Sequence, residues 1–355
     1  MRKPYGIVSD IHLHNWSAFA TVGADGINSR LQILLNELHR CADEVDAAGG
    51  DTIINAGDTF HVRGNITPSV LNPTLDAYSA LVKRGFKIYI VAGNHDLEGK
   101  DSDRLGSAVT ALEGVGCAIV NTPAAGIGIC DDVVMVPWIQ NIGDLKKALE
   151  DAASAASTDV GNLDLVIHAP IDDVLVGIPD HGLTSDYLAS LGFRKVFAGH
   201  YHHHKNFGNK VYSIGALAHH TWSDVGSKAG FLIVRDAFVE WRKSHAPEFI
   251  DLLSAESETD AELMAEGNYV RARVTTNKMQ DINKMREWLE ASGAKGILIQ
   301  SVKEPVKARE GSIAPSVTAG ASIGASVDEY IKGQTFAHAE SVQRECQRVL
   351  SIAGI

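Results

Sequence analysis

Short apolar runs that end in small or polar residues punctuate the first two thirds of the chain. Tyr5–Ser9, Thr52–Ala56, Phe86–Val91, Leu163–Ile167 and Lys195–Ala198 have the length and composition of buried strands. Helical spacing fills the gaps between them. From Asn28 on, Leu31, Leu34, Leu35, Leu38, Ala42 and Val45 recur at three- and four-residue steps, with Asn28 or Ser29 to cap the start and Gly49-Gly50 to end the helix. Further helices are predicted near Pro68–Arg84, near Asp103–Val115 and over Leu145–Ala156. Alternation of this kind predicts parallel strands covered by helices.

After Gly116 the spacing tightens. Cys117–Val120, Gly126–Cys130 and Val133–Val136 predict short strands of a second sheet packed on the first, and Asn209–Ile214, Gly230–Val234 and Phe238–Arg242 read as closing strands. The long polar connection Asp172–Ser185 is expected to cover the mouth of a site. Beyond that the pattern breaks. Ser254–Gly267 reads as a helical or loosely ordered linker. Tyr269–Thr275, a helix carrying Ile282, Met285 and Leu289, and Ile297–Val302 then make a small β-α-β unit. Glu304–Ala325, rich in Gly, Ser, Ala and Pro, predicts a tether, and Val327–Lys332 and His338–Ile352 predict two tail helices. The expected division is a catalytic domain over 1–253, a linker and capping unit over 254–304, and a tether with partner-docking helices over 305–355.

The residues that end the strands carry the chemistry. Asp10 and His12 follow the first run, Asp58 the second, Gly93-Asn94-His95-Asp96 the third, His168 the fourth, and His200 and His202 the fifth. Parallel sheets present their sites at the carboxyl ends of strands, so these donors are placed to converge. A lone buried Asp or His is more often a hydrogen-bonded structural residue. Seven in this arrangement read as one dinuclear metal site. Asp10, His12 and His202 can hold one ion, Asn94, His168 and His200 the other, with Asp58 shared between them. Imidazole, carboxylate and amide donors without thiolate suit Mn²⁺, Mg²⁺, Fe²⁺, Zn²⁺ or similar ions. His95, outside the ligand count, can protonate a leaving oxygen, and Asp96 is expected to orient it. His14, His181, His203, His204, His219 and His220 read as surface or supporting histidines.

Bulk composition narrows the setting. With 45% hydrophobic and 21% charged residues there is no apolar run of transmembrane length, and the start of the chain lacks a charged-then-apolar leader. A cytoplasmic protein without membrane contact, beside a nucleoid or in an infected cell, is the expectation. Cys41, Cys117, Cys130 and Cys346 are scattered and read as reduced thiols. The net charge of −12 argues against a protein that coats nucleic acid by charge alone.

Together Asp10-Ile11-His12, Gly57-Asp58, Gly93-Asn94-His95-Asp96, His168 and Gly199-His200-Tyr201-His202 resemble the pattern of the calcineurin-like metallophosphoesterases, over about residues 5–242. The resemblance implies a four-layer α/β/β/α sandwich, hydrolysis of phosphate esters and the residue roles just given. A narrower resemblance is to the DNA-repair nucleases of the SbcD type. It rests on Gly57-Asp58-Thr59-Phe60-His61 with Pro68 following, and on Val211–Ala216 with Trp222-Ser223-Asp224 and Gly230. That resemblance implies a DNA-placing role for His61, a capping unit at 269–302 and a tail that docks on a partner. It also implies a homodimer working on DNA with an SMC-like ATPase, as a 3′–5′ exonuclease and single-strand endonuclease in repair and recombination. The rival readings are a phosphatase or cyclic-nucleotide phosphodiesterase with the same ligands, and a non-catalytic scaffold, which would be expected to have lost ligands that this chain keeps.

Overall fold

The structure, a computed structural model, describes residues 2–99, 107–121, 128–130, 132–155, 159–274, 279–301, 323–332 and 338–352. They form two compact units, 1–300 and 301–355.

In the larger unit the predicted runs become β1 (Tyr5–Val8), β2 (Thr52–Asn55), β3 (Lys87–Val91), β7 (Asp164–His168) and β8 (Lys195–Gly199), and the other strands are numbered in chain order around them. The first sheet has the order β12-β11-β1-β2-β3-β4, with β4 (Ala118–Val120), β11 (Gly230–Val234) and β12 (Val239–Lys243). The second runs β5-β6-β7-β8-β10-β9, adding β5 (Gly128–Cys130), β6 (Val133–Val136), β9 (Lys205–Asn206) and β10 (Val211–Ser213). Strands β1, β2 and β3 are mutually parallel, as are β6, β7 and β8. Each set therefore delivers its carboxyl ends to one rim.

The two sheets bury their facing residues against each other. Ile7, Ile54, Val91 and Leu232 of the first share a core with Met135, Val166 and Phe197 of the second. The outer face of the first sheet is covered by α1 (Ser29–Ala47) and α2 (Pro68–Lys83). That of the second is covered by α3 (Ile142–Ala155) and α4 (Ser185–Ser190). The result is the expected four-layer sandwich. Helix α1 starts as read: the Asn28 side chain accepts from the amides of Arg30 (2.9 Å) and Leu31 (3.2 Å). Gly49, at φ 86°, follows its last turn.

Three assignments change. Ala118–Val120 pairs in parallel with β3 and so extends the first sheet, not the second. Only Ala108–Val115 of the third predicted helix is helical among the described residues, as a 3-10 segment ending at Gly116. Residues 103–106 of that reading, like 126–127, 275, 302 and 304–322, lie outside the described residues. Finally, Phe249–Asp251, given no strand by its pattern, is β13. It pairs in parallel with β14 (Tyr269–Val274), beside β15 (Gly296–Ser301), in a three-stranded sheet. The linker reading of 254–267 contains α5 (Glu258–Ala265). Helix α6 (Met279–Ala291) contributes Leu289 to a small core with Ala265, Val270 and Ala272. In the smaller unit α7 (Ile323–Lys332) and α8 (Ala339–Ile352) pack on one another, and α7 begins inside the stretch read as tether. No helix among the described residues is long and apolar enough to cross a membrane.

Candidate dinuclear metal centre

The loops that follow β1 and β2 keep pairing after the strands end. Asp10 N–H donates to Gly57 O (3.0 Å), His12 N–H to Asp58 O (3.0 Å) and Leu13 N–H to Thr59 O (2.8 Å). This ladder sets Asp10 and His12 beside Asp58. Asp10, His12 and Asp58 have φ between 48° and 51°, and His200 has φ 103°. Non-glycine residues in that region carry backbone strain, which concentrates at functional sites. Close approach is also built in. A Cβ on Gly57 would lie 2.3 Å from His168 Nδ1, one on Gly93 2.2 Å from Asp58 Oδ1, and one on Gly199 2.1 Å from Ser9 Oγ.

All seven predicted ligands converge. Asp10, His12 and His202 offer one set of donor atoms within 4.8 Å of one another, and Asp58, His168 and His200 a second. Asn94 Oδ1 sits between His168 Nε2 (3.1 Å) and His200 Nδ1 (3.0 Å). Asp58 faces both sets: Oδ2 is 3.7 Å from His12 Nε2 and Oδ1 is 3.4 Å from His168 Nε2.

Hydrogen bonds on the far side of each ring show which nitrogen points inward. His168 Nδ1–H donates to Ala56 O (2.8 Å) and His202 Nδ1–H to Asp224 Oδ1 (2.7 Å), which turns Nε2 of both inward. His202 Nε2 lies 3.1 Å from His12 Nε2. Asp10 Oδ1 is buried with no hydrogen-bond partner. Ring nitrogens and carboxylate oxygens that converge in a buried place, one of those oxygens without a hydrogen-bond partner, fit a cation set.

The electrostatics agree. Burial would raise the Asp58 carboxyl, but the His168 imidazole, with His12 and His95, holds it far below the usual carboxylate range. Burial opposes charge on His168, yet the adjoining Asp58 raises it to about 9. Burial, then the charge of neighbouring His168, brings His200 down to about 3. Burial likewise depresses His12 well below the ordinary imidazole range.

His95 and Asp96 behave differently from expectation. The His95 ring is held by Nδ1–H donating to His61 O (2.6 Å), and not by Asp96. The amides of Gly93 (2.9 Å), Phe60 (3.0 Å) and Thr59 (3.2 Å) all converge on the Asp96 carboxylate instead. Both its oxygens are thereby engaged, and Asp96 ties the 93–96 turn to the loop after β2. Burial, reinforced by repulsion from Asp58, pushes Asp96 up to about 7. The backbone amide of His95 also donates to Asp58 Oδ1 (2.8 Å), which orients the shared carboxylate. His61 lies at the edge of the cluster, Nδ1 3.4 Å from His12 Nδ1 and its ring stacked on that of His95. Burial, then His14 beside it, lowers His61 to about 4.

Several contributors escaped the sequence reading. Asp224 belonged to a stretch singled out there but was given no role. His220, read as a supporting histidine, donates from Nε2 to Asp10 O (2.9 Å). Trp138 stacks on His200 (ring centroids 5.0 Å apart), and nothing in its sequence context marked it. The connection Asp172–Ser185 is pinned by Asp172, which accepts from the amides of His181 and Gly182, and His181 reaches Tyr201 Oη at 3.0 Å.

Residues 3–204 match the family model described as calcineurin-like phosphoesterase, more than half of the chain. The chain belongs to that family. Its members are hydrolases of phosphate esters built around a pair of metal ions, and the convergent donors above are the candidate ligands. The match stops at His204, so Asp224 and His220 fall outside it. Exonuclease subunit 1 of Enterobacteria phage T4 is 26% identical over 186 residues, which is 52% of this chain and 52% of that protein. The chain thus spans about half the length of this curated relative. Among solved structures, the Pseudomonas putida nuclease MPE aligns with 16% identity and TM-score 0.29, covering 59% of this chain and 66% of that one. A dimetal phosphatase from Danio rerio aligns with 11% identity and TM-score 0.42, covering 68% of this chain and 96% of that one.

Proposed function

We propose that this phosphoesterase is the nuclease subunit of a DNA-processing complex, a 3′–5′ exonuclease with single-strand endonuclease action in repair and recombination. The observation that carries the catalytic part is the position of Asp58, whose two oxygens face one donor set each. Asp10, His12 and His202 would hold one ion and Asn94, His168 and His200 the other, Mn²⁺ being the first candidate. When bound, such a pair clamps phosphate oxygens and activates water as the nucleophile.

The chain's own residues supply the rest. His95 carries its hydrogen on Nδ1, so Nε2 is the atom free to exchange a proton with a leaving oxygen. Asp96 acts as a positioning residue through the three amides it gathers. His61, neutral at physiological pH, offers a hydrogen bond rather than a charge to an incoming DNA end. The nuclease reading draws support from the phage relative and from the Gly57–His61 signature. Its extension to an SMC-like ATPase, a homodimer, a capping unit over 254–304 and a docking tail over 305–355 is part of the same proposal.

The test is cleavage of end-labelled linear duplex and single-stranded DNA with Mn²⁺, beside bis-p-nitrophenyl phosphate. Shortening from 3′ ends is expected, and Asp58→Asn should abolish it. Turnover of the small ester with DNA left intact, with and without an added ATPase subunit, would favour a phosphatase or cyclic-nucleotide phosphodiesterase. His95→Gln should lower turnover about 100-fold while metal content stays at wild-type level.

A further inference from the structure

Support for the two halves of the site is unequal. Asp58, Asn94, His168 and His200 lie at the ends of β2, β3, β7 and β8 or in the loops that directly follow them. Asp10, His12 and His202 depend in addition on the turn 219–224. Within it Asp224 gives Oδ1 to His202, while Oδ2 accepts from the amides of His220 and Thr221 (2.8 Å each). The buried His220 ring meets His12 and His202 edge-on at 5.1 and 5.3 Å and donates to the Asp10 carbonyl.

The three-stranded sheet rests on this same turn. Arg30, 5% exposed, donates from one guanidinium nitrogen to His220 O (2.7 Å) and His219 O (3.3 Å). Its cation lies over the rings of Trp16 (5.2 Å), Phe249 of β13 (5.1 Å) and Tyr269 of β14 (5.5 Å). Phe249 N–H donates to His219 Nδ1 (3.0 Å), and Arg271 of β14 sits 4.8 Å over the Trp222 ring, two residues from Asp224. Phe19 stacks on Tyr269, and only a glycine at 296 lets β15 reach it, since a Cβ there would lie 2.4 Å from the Phe19 ring. Each of these contacts falls on residues 16–30 or on the turn that braces the Asp10–His12–His202 half.

We infer that the seating of the three-stranded sheet on the 219–224 turn sets the geometry of the Asp10–His12–His202 half, so that it controls affinity for one ion of the pair and not for the other. This rests on the dinuclear reading above. A sheet shifted by a bound macromolecule would then retune one ion in place, without touching a ligand. Arg30, Trp222 and Arg271 act as positioning residues through His220 and Asp224.

The test is calorimetric titration of the full chain with Mn²⁺, with electron paramagnetic resonance to distinguish isolated from spin-coupled ions. Arg271→Ala removes the cation over Trp222 at a partly exposed position, and Arg271→Lys restores it. Arg30→Lys keeps charge but not the planar fork. In Arg271→Ala and Arg30→Lys one equivalent should bind as in the wild type and the other about tenfold more weakly. The isolated-ion signal should then appear at loadings where the wild type shows the pair, and Arg271→Lys should return toward wild type. Both equivalents weakening alike, or neither changing while the wild type binds two, would overturn the inference and leave the dinuclear site standing. A wild type that takes up fewer than two ions would remove the dinuclear reading, and this inference with it.

Discussion

Asp58 and His168 form the most consequential pair in the molecule. Although burial opposes charge on His168, Asp58 raises it to about 9, which favours a proton on the imidazole when no metal is bound. A ligand nitrogen must be neutral, so proton and metal compete. The sign follows: the imidazole is charged below about 9, and apparent metal affinity should rise with pH until that value is passed. At pH 7 loading should release a proton, measurable by calorimetry in buffers of different ionisation enthalpy. Affinity that stays flat between pH 6 and 9 would show that His168 is not charged before loading. The sequence reading placed all seven donors at strand ends because apolar runs broken by Asp and His are unusual. It misassigned the orientation of His95, since adjacency along the chain says nothing about which amides converge on the neighbouring carboxylate.

Strand ends and the glycines beside them turn those residues into a site. Gly57 takes φ 108° and leaves no room for a side chain against His168. Gly57→Ala should therefore cost about 1–3 kcal/mol of stability, read by urea unfolding, and weaken metal binding together with it. A variant with wild-type stability and metal content would show that the loop relaxes freely. Helix α1 was legible to its cap because a 19-residue amphipathic pattern averages over local noise. The three-residue β13 was not: at that length an apolar residue reads the same in a strand or a loop, and only the partner β14 decides. Likewise β4 joined the first sheet through its pairing with β3, which no local pattern records.

Taken whole, the chain carries a net charge of −12, so its electrostatics do not favour a polyanion at large. If DNA is the substrate, its phosphates should be held mainly at the ions. Filter binding with a duplex should then show affinity that rises with Mn²⁺ and changes little with monovalent salt, in contrast to a protein that binds through a basic face. A steep salt dependence in the metal-free protein would point to a basic surface instead. The sandwich is compatible with this: two sheets deliver five strand ends to one rim, where bound divalent ions would reverse the local field.

Sequence alone determined the layered α/β class and singled out the strand ends and the candidate donors on them, because buried runs and their polar termini are local properties of the chain. Tertiary structure decided which donors face which, that Asp58 presents one oxygen to each set, and that Asp224 and His220 brace one half. It also decided which sheet each short strand joins. Those outcomes depend on hydrogen bonds and ring contacts between segments up to about 200 residues apart, such as His220 to Asp10, where no periodicity along the chain can register them.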